Sequence, residues 1–132
     1  MDPADRKQAL RMLTNGVYVL TVKDGDDIGA GTVTWLSQAS LDPKLVMVGL
    51  RTDSMSHALV ERTGRFTINV LATGQKPVAE RFFKPGEIEN GRLNGCDIED
   101  GPNGDPLLVD APAWFQAEVR GSVAEGDHPV VV

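Results

Sequence analysis

The stretch GTVTWLSQASLDP, residues 31–43, interleaves apolar Val33, Trp35, Leu36 and Ala39 with polar Thr32, Thr34, Ser37, Gln38 and Ser40. Its β-branched and aromatic residues favour extended backbone, so it reads as strand. Strict alternation would mark an ordinary half-exposed strand, but Trp35 and Leu36 are adjacent and residues 37–40 have no period of two. Two readings stand: a strand with one polar face, or a strand end whose hydroxyls and amides hold a ligand.

Working outward, VYVLTV (residues 17–22) is a β-branched and aromatic strand, and the Asp24-Gly25 step signals a hairpin. Residues 30–37 are then the returning strand. Asp42-Pro43 predicts a turn, followed by KLVMVGL, an almost wholly apolar run expected to be buried on both faces. Upstream, Asp2-Pro3 predicts the start of a short helix that Asn15-Gly16 closes. Downstream, Ser54 caps a helix carrying Ala58, Leu59 and Val60, and Gly64 ends it. RFTINVLA (residues 65–72) alternates as a strand and contains one polar residue, Asn69, that needs a partner if buried. QKPVAERFF predicts a helix with Val78, Ala79, Phe82 and Phe83 on its apolar side.

Residues 84–106, rich in Gly, Pro, Asn and Asp, read as a long irregular excursion of the kind that is often functional. The remainder predicts two strands around Gly126. The chain stops inside the last of them, so we expect one domain, residues 1–132, cut short at its C-terminus. About six sequential strands with two or three short helices favour an antiparallel barrel over a doubly wound sheet.

The 132 residues are 41% hydrophobic, carry a net charge of −6 and include one cysteine, Cys96. That balance argues against a nucleic-acid partner, which needs clustered Lys and Arg. It leaves room for a small anion, which needs only a few local donors. No run approaches the ~18 apolar residues of a membrane span, and the charged N-terminus lacks a signal-peptide core. A cytoplasmic setting is expected. Two histidines without regular spacing predict no metal site, and no P-loop or dinucleotide glycine fingerprint is present.

Helix N-termini present unpaired N–H groups and a positive dipole end to phosphate. Arg51 precedes such a terminus, and Thr52, Ser54 and Ser56 add hydroxyls; the plainer reading is a serine cap beside a surface arginine. His57, inside that helix, suits surface or packing duty. Gly126-Asp127-His128 sets a carboxylate beside an imidazole at a strand start, and read alone it is an exposed turn.

Taken in order, GVYVLTV, GAGTVTWLSQASLDP, LVMVGLRTDSMSHALVERTGRFTINVLA, VAERFFKPG and GDHPVVV resemble the flavin reductase-like family. The likeness extends to the flavin reductase module of flavodiiron proteins and covers most of the chain from Gly16 onward. It implies the FMN-binding split β-barrel and a homodimer holding FMN, or FAD, near the subunit interface. It further implies that Thr32, Val33, Thr34, Trp35, Ser37, Gln38, Ala39 and Ser40 wrap the flavin, while Arg51, Ser54 and Ser56 hold its phosphate end. His128 is then a candidate to position NAD(P)H. The implied activity is an NAD(P)H-dependent flavin reductase supplying a partner oxygenase or redox protein. A non-catalytic FMN-binding electron carrier is the alternative, and a split barrel with haem or a deazaflavin the third. In such an enzyme the cofactor performs the hard step, so no protein general acid or base is expected.

Overall fold

A computed structural model describes all residues, 1–132. In chain order the elements are α1 (Pro3–Arg11), β1 (Tyr18–Asp24), β2 (Asp27–Val33), β3 (Leu36–Ser40), β4 (Leu45–Gly49), α2 (Met55–Thr63), β5 (Arg65–Val70) and α3 (Lys76–Arg81). There follow β6 (Ile88–Glu89), β7 (Arg92–Leu93), β8 (Cys96–Asp100), β9 (Pro106–Leu108), β10 (Ala113–Glu118), β11 (Ser122–Val123) and β12 (Val130–Val131). The chain is mainly β with three helices, as expected.

Every strand pair is antiparallel, and the pairs form three four-stranded sheets, ordered β10-β5-β1-β2, β11-β12-β4-β3 and β6-β7-β8-β9. The first is the organising sheet. The β1–β2 hairpin runs in register from Tyr18↔Val33 to Asp24↔Asp27, and Gly25 takes the positive φ of +61° that its tight turn requires. Strand parity then divides two cores. Leu20, Val22, Phe66 and Ile68 point to one face, against Leu59 and Val60 of α2 and against Val48, Leu50 and Val131. Val19 and Ala30 point to the other, against Phe82, Leu93 and Leu108. Each large side chain so buried contributes about 1.5–3 kcal/mol.

Behind the second face lies the expected irregular excursion, which instead contains β6 to β9. Its Gly and Asn residues supply positive φ at Asn90, Gly91, Asn94 and Gly95, so the composition that reads as disorder builds tight turns between very short strands. Asn69 is fully buried there. Its Nδ2 donates to Val19 O (3.0 Å) and Thr21 Oγ1 (3.3 Å), and its Oδ1 accepts from Leu108 N (2.9 Å). Its partners are therefore protein groups.

The caps of α2 are as expected. Ser54 Oγ accepts from His57 N at 3.1 Å, and Gly64 closes the helix at φ +71°. Other expectations change. The returning strand leaves its ladder at Thr34 and Trp35, so it becomes β2 and β3 in different sheets. β4 is not buried on both faces, because Met47 is 39% exposed. Phe83 does not join Ala79 and Phe82 inside: α3 ends at Arg81 and the turn that follows carries Phe83 outward, 74% exposed. The last segment contains three strands rather than two. No helix is long and apolar enough to cross a membrane.

Candidate functional site

The free edge of β2 is where the site forms, because the two faces of that strand receive different elements. On one face the N-terminus of α2 comes so close that a Cβ on Gly29 would stand 2.8 Å from Ser56 Cα. On the other face Thr32 Oγ1 donates to Ala79 O (2.6 Å), and a Cβ on Gly86 would stand 2.9 Å from Ala30 Cβ. The edge itself is used once, where Thr32 N donates to Phe82 O at 3.2 Å. These ties hold the end of α3 and the turn 83–86 opposite the start of α2. Between them is a cleft of about 820 Å³, within the range of cofactor sites, roughly 300–1,000 Å³.

The wall formed by α2 suits an anion. Met55 and Ser56 occupy its first two positions, where N–H groups have no intrahelical partner. Ser56 is 7% exposed, lines the cleft, and its hydroxyl makes no hydrogen bond within the protein. Ser54 lines the cleft too, but its hydroxyl is engaged, donating to Arg51 O (2.8 Å) as well as capping His57. Arg51 bonds Asp53 at 3.0 Å with both side chains largely exposed. Such a pair is worth about 0–1 kcal/mol, so it holds the Arg51 guanidinium only weakly.

A third wall comes from the strand break. Trp35 is 56% exposed, and its ring meets His128 edge-on at 4.7 Å between centroids. Gly49 of β4 lies beneath this pair, in ordinary van der Waals range of both Trp35 and His128. The loop carrying His128 is strapped in place: Leu50 N donates to Pro129 O (3.1 Å), while Thr52 N (3.1 Å) and Oγ1 (2.9 Å) both donate to Asp127 O.

His128 Nδ1 lies 2.9 Å from Asp127 Oδ1. That hydrogen bond, with the charge of His128 adding to it, holds the Asp127 carboxyl below its ordinary value. A carboxyl depressed in the folded state stabilises the fold above its unfolded pKa, and the contribution is lost as pH falls through the folded pKa. Melting curves taken downward from pH 5 are therefore expected to fall more steeply for the parent than for Asp127→Asn. Parallel curves would show that the pair is not formed in solution.

The cleft thus gathers Thr32, Val33, Thr34, Trp35, Arg51, Ser54, Ser56 and His128 of the expected site. It does not gather Ser37, Gln38, Ala39 and Ser40. Those lie on β3, an edge strand, with Ser37, Gln38 and Ala39 exposed. Ser37 Oγ bonds Gln38 O and Gln38 Nε2 bonds Ser40 O, so their polar groups are satisfied locally. The expectation also omitted a whole wall. Phe82, Phe83, Lys84, Pro85 and Gly86 line the cleft, yet in sequence they read as a helix end and a loop. The available signal was two adjacent aromatics that a short helix cannot bury together, followed at once by Lys-Pro-Gly. His57 is buried in α2 outside the cleft, with Nε2 3.3 Å from Glu61 Oε1. No group of three or more metal-ligating side chains occurs.

Comparison with known proteins accords with this geometry. The family described as "Flavin reductase like domain" matches residues 10–132. The NADH-dependent flavin reductase StyB of Pseudomonas fluorescens is 33% identical over 127 residues, which are 96% of this chain and 72% of StyB. Diflavin flavoprotein A 1 of Synechocystis sp. is 30% identical over 129 residues, 97% of this chain but only 22% of that much longer protein. The styrene monooxygenase flavin reductase of Pseudomonas putida S12 superposes with a TM-score of 0.79 at 31% identity, covering 95% of this chain and 79% of its own. The match over residues 10–132, together with the identity to StyB along most of both chains, shows that the chain belongs to the flavin reductase-like domain family.

Proposed function

We propose that this domain holds FMN in the cleft along β2 and reduces it with NAD(P)H, acting as a flavin reductase for a partner oxygenase or redox protein. The observation that carries the reading is the cleft itself. It pairs an anion-ready wall, the free N–H groups and hydroxyl at Ser56 beside Arg51, with an apolar floor that includes Leu20, Leu50 and Phe82. A flavin mononucleotide has those two ends, a phosphate and a planar ring with broad π faces and an apolar dimethylbenzene end, so the residues present fit it. When bound, the flavin supplies the acceptor for hydride from the nicotinamide.

The work left to the protein is binding and orientation. Arg51 and the start of α2 hold the phosphate with charge-assisted bonds. Residues 32–35 line the ring, and Trp35 with His128 closes one side, where His128 positions the nicotinamide donor. The walls are fixed by the ties of Thr32 and Thr52, so little ordering remains to be done on binding.

We further propose a homodimer in which β3 carries Ser37, Gln38, Ala39 and Ser40 to the subunit interface as additional flavin contacts. That face exposes Met47 (39%) and the neighbouring Leu41 (75%), apolar surface that a second copy would cover. Styrene monooxygenase flavin reductase is, by its name, matched to an oxygenase, and the same kind of partner suits this chain. FAD is the wider cofactor reading. A cytoplasmic setting suits the single thiol.

Anaerobic mixing of the FMN-loaded protein with NADH or NADPH tests the activity: bleaching of the flavin is expected. A stably coloured protein that neither nicotinamide bleaches would be an electron carrier, and a protein that takes up no flavin would end the reading. For the phosphate wall, Arg51→Ala is expected to weaken FMN by about tenfold, the value of one charge-assisted bond, and to leave riboflavin unaffected. Equal loss of both ligands would remove Arg51 from the phosphate.

A further inference from the structure

α1 is the one helix that joins neither core. None of its nine residues is buried, and no hydrogen bond or ion pair ties it to another element. Helices shorter than about 12–15 residues are marginal in water without packing. Its local start signals, Pro3 and the bond from Ala4 N to Asp2 Oδ1 (2.9 Å), therefore do not account for it alone. The last turn also collects apolar side chains. Leu10 and Leu13 share one side, Leu13 N donating to Leu10 O at 3.2 Å, and they are 61% and 65% exposed. A surface helix turns such a stripe toward a core. Here its own chain covers neither leucine, so the covering surface belongs to another molecule.

Three observations point to a second copy of this chain. The first is a matching face. In the sheet β11-β12-β4-β3, the pairs Val123↔Val130 and Val130↔Gly49 put Val123 on the same side as Gly49 and Met47, opposite the core-facing Val48 and Val131. Met47 and Val123 are both exposed on that side. The second is position. Tyr18, which follows the arm bearing α1, pairs with Val33, and from Val33 the chain passes through Thr34 and Trp35 into β3. The arm thus leaves the body beside the edge strand of that same sheet. The third is charge. Residues 1–13 hold Arg6, Lys7 and Arg11 against Asp2 and Asp5, a net of +1 in a chain of net −6. None of those three cations has an ion-pair partner in its own chain. A cationic arm and an anionic body are complementary between copies. One arm and one face per chain also close under two-fold symmetry, with neither left over.

Resting on the homodimer reading above, we propose that α1 is an exchanged arm, with Leu10 and Leu13 of each chain packed over Met47 and Val123 of the other copy. The arm and the β3 contact are then parts of one interface.

Sedimentation of the whole protein over a dilution series tests this. Wild type is expected to dimerise. Leu10→Glu/Leu13→Glu alters only side chains that are exposed in the single chain, so it is expected to melt as wild type does at dilutions where both are monomeric. Its dimer Kd is expected to rise about 100-fold or more, two buried leucines being lost from each arm. Val123→Glu, which alters the face instead of the arm, should raise the Kd likewise, and Leu10→Met/Leu13→Met should keep the wild-type value. A double-glutamate variant as dimeric as wild type would overturn the arm and leave the homodimer standing. Val123→Glu with the wild-type Kd would overturn the seat on the second sheet. Wild type that stays monomeric throughout would overturn the homodimer reading together with the arm. Co-sedimentation of that monomer with vesicles of acidic phospholipid, abolished by the double-glutamate change, would assign α1 to a membrane surface instead.

Discussion

Asp105→Ala is expected to destabilise the fold by about 3–5 kcal/mol, the cost of removing one partner from a buried charged network. Asp105 is fully buried. Its Oδ1 accepts from Lys23 N (2.8 Å) and lies 3.6 Å from the Arg65 guanidinium, and its Oδ2 accepts from Thr67 Oγ1 (3.0 Å). Truncation strands a backbone N–H and a hydroxyl in the interior together with part of a cation. Arg65 is partly exposed and recovers some solvation, so the two neutral donors set the lower bound. The network also spans elements: it fastens the approach to β9 onto β1 and β5, behind the sheet whose edge forms the cleft. A melting temperature lower by about 10 °C or more is expected for a domain of this size. Differential scanning fluorimetry on Asp105→Ala and Asp105→Asn measures it. The asparagine variant retains one acceptor and should lose less; two variants within 2 °C of the parent would mean that the carboxylate is dispensable.

The second large effect couples stability to the site. In Gly29→Ala the added Cβ would stand 2.8 Å from Ser56 Cα and 2.9 Å from Val22 Cγ1. The first of these is backbone and cannot rotate away, so α2 must retreat from β2. Overpacking of this kind costs about 1–3 kcal/mol. More telling is where the movement falls, since Ser56 is the residue whose free N–H and hydroxyl define the anion wall. Gly29→Ala is therefore expected to weaken FMN binding about tenfold or more, on the view that small misplacement of a positioning group is expensive. Flavin fluorescence titration measures the affinity and thermal melting the stability. A variant that melts lower yet binds FMN normally would separate the α2 start from the ligand.

Much of the scaffold was legible locally because its signals are local. Ser54 and Gly64 bound α2 through groups within a few residues, and the β1–β2 hairpin needs only its glycine turn and flanking β-branched residues. The long excursion was misread for the converse reason. Its strands are two to five residues long and are held by cross-strand partners and by the sheet behind them, which no local window reveals. Phe83 failed similarly: helical spacing places it beside Ala79, but the helix ends first. Asn69 was legible as a residue needing partners. Which partners it has, Val19, Thr21 and Leu108, depends on strands brought together from distant parts of the chain.

The stretch 31–43 shows where the division falls. Composition alone marked it as extended backbone with more polar groups than a strand face needs, and its broken alternation was the mark of a chain leaving one sheet for another. Ordered motifs along the chain carried the family. Only the tertiary structure divided that stretch, placing Thr32 to Trp35 on the cleft and Ser37 to Ser40 on an exposed edge strand. It also supplied the wall from Phe82 to Gly86. The physical reason is that backbone preference is set by neighbouring residues, whereas a cleft is the space left between elements whose separation depends on packing, here on glycines small enough to let α2 and the turn after α3 close on the two faces of one strand.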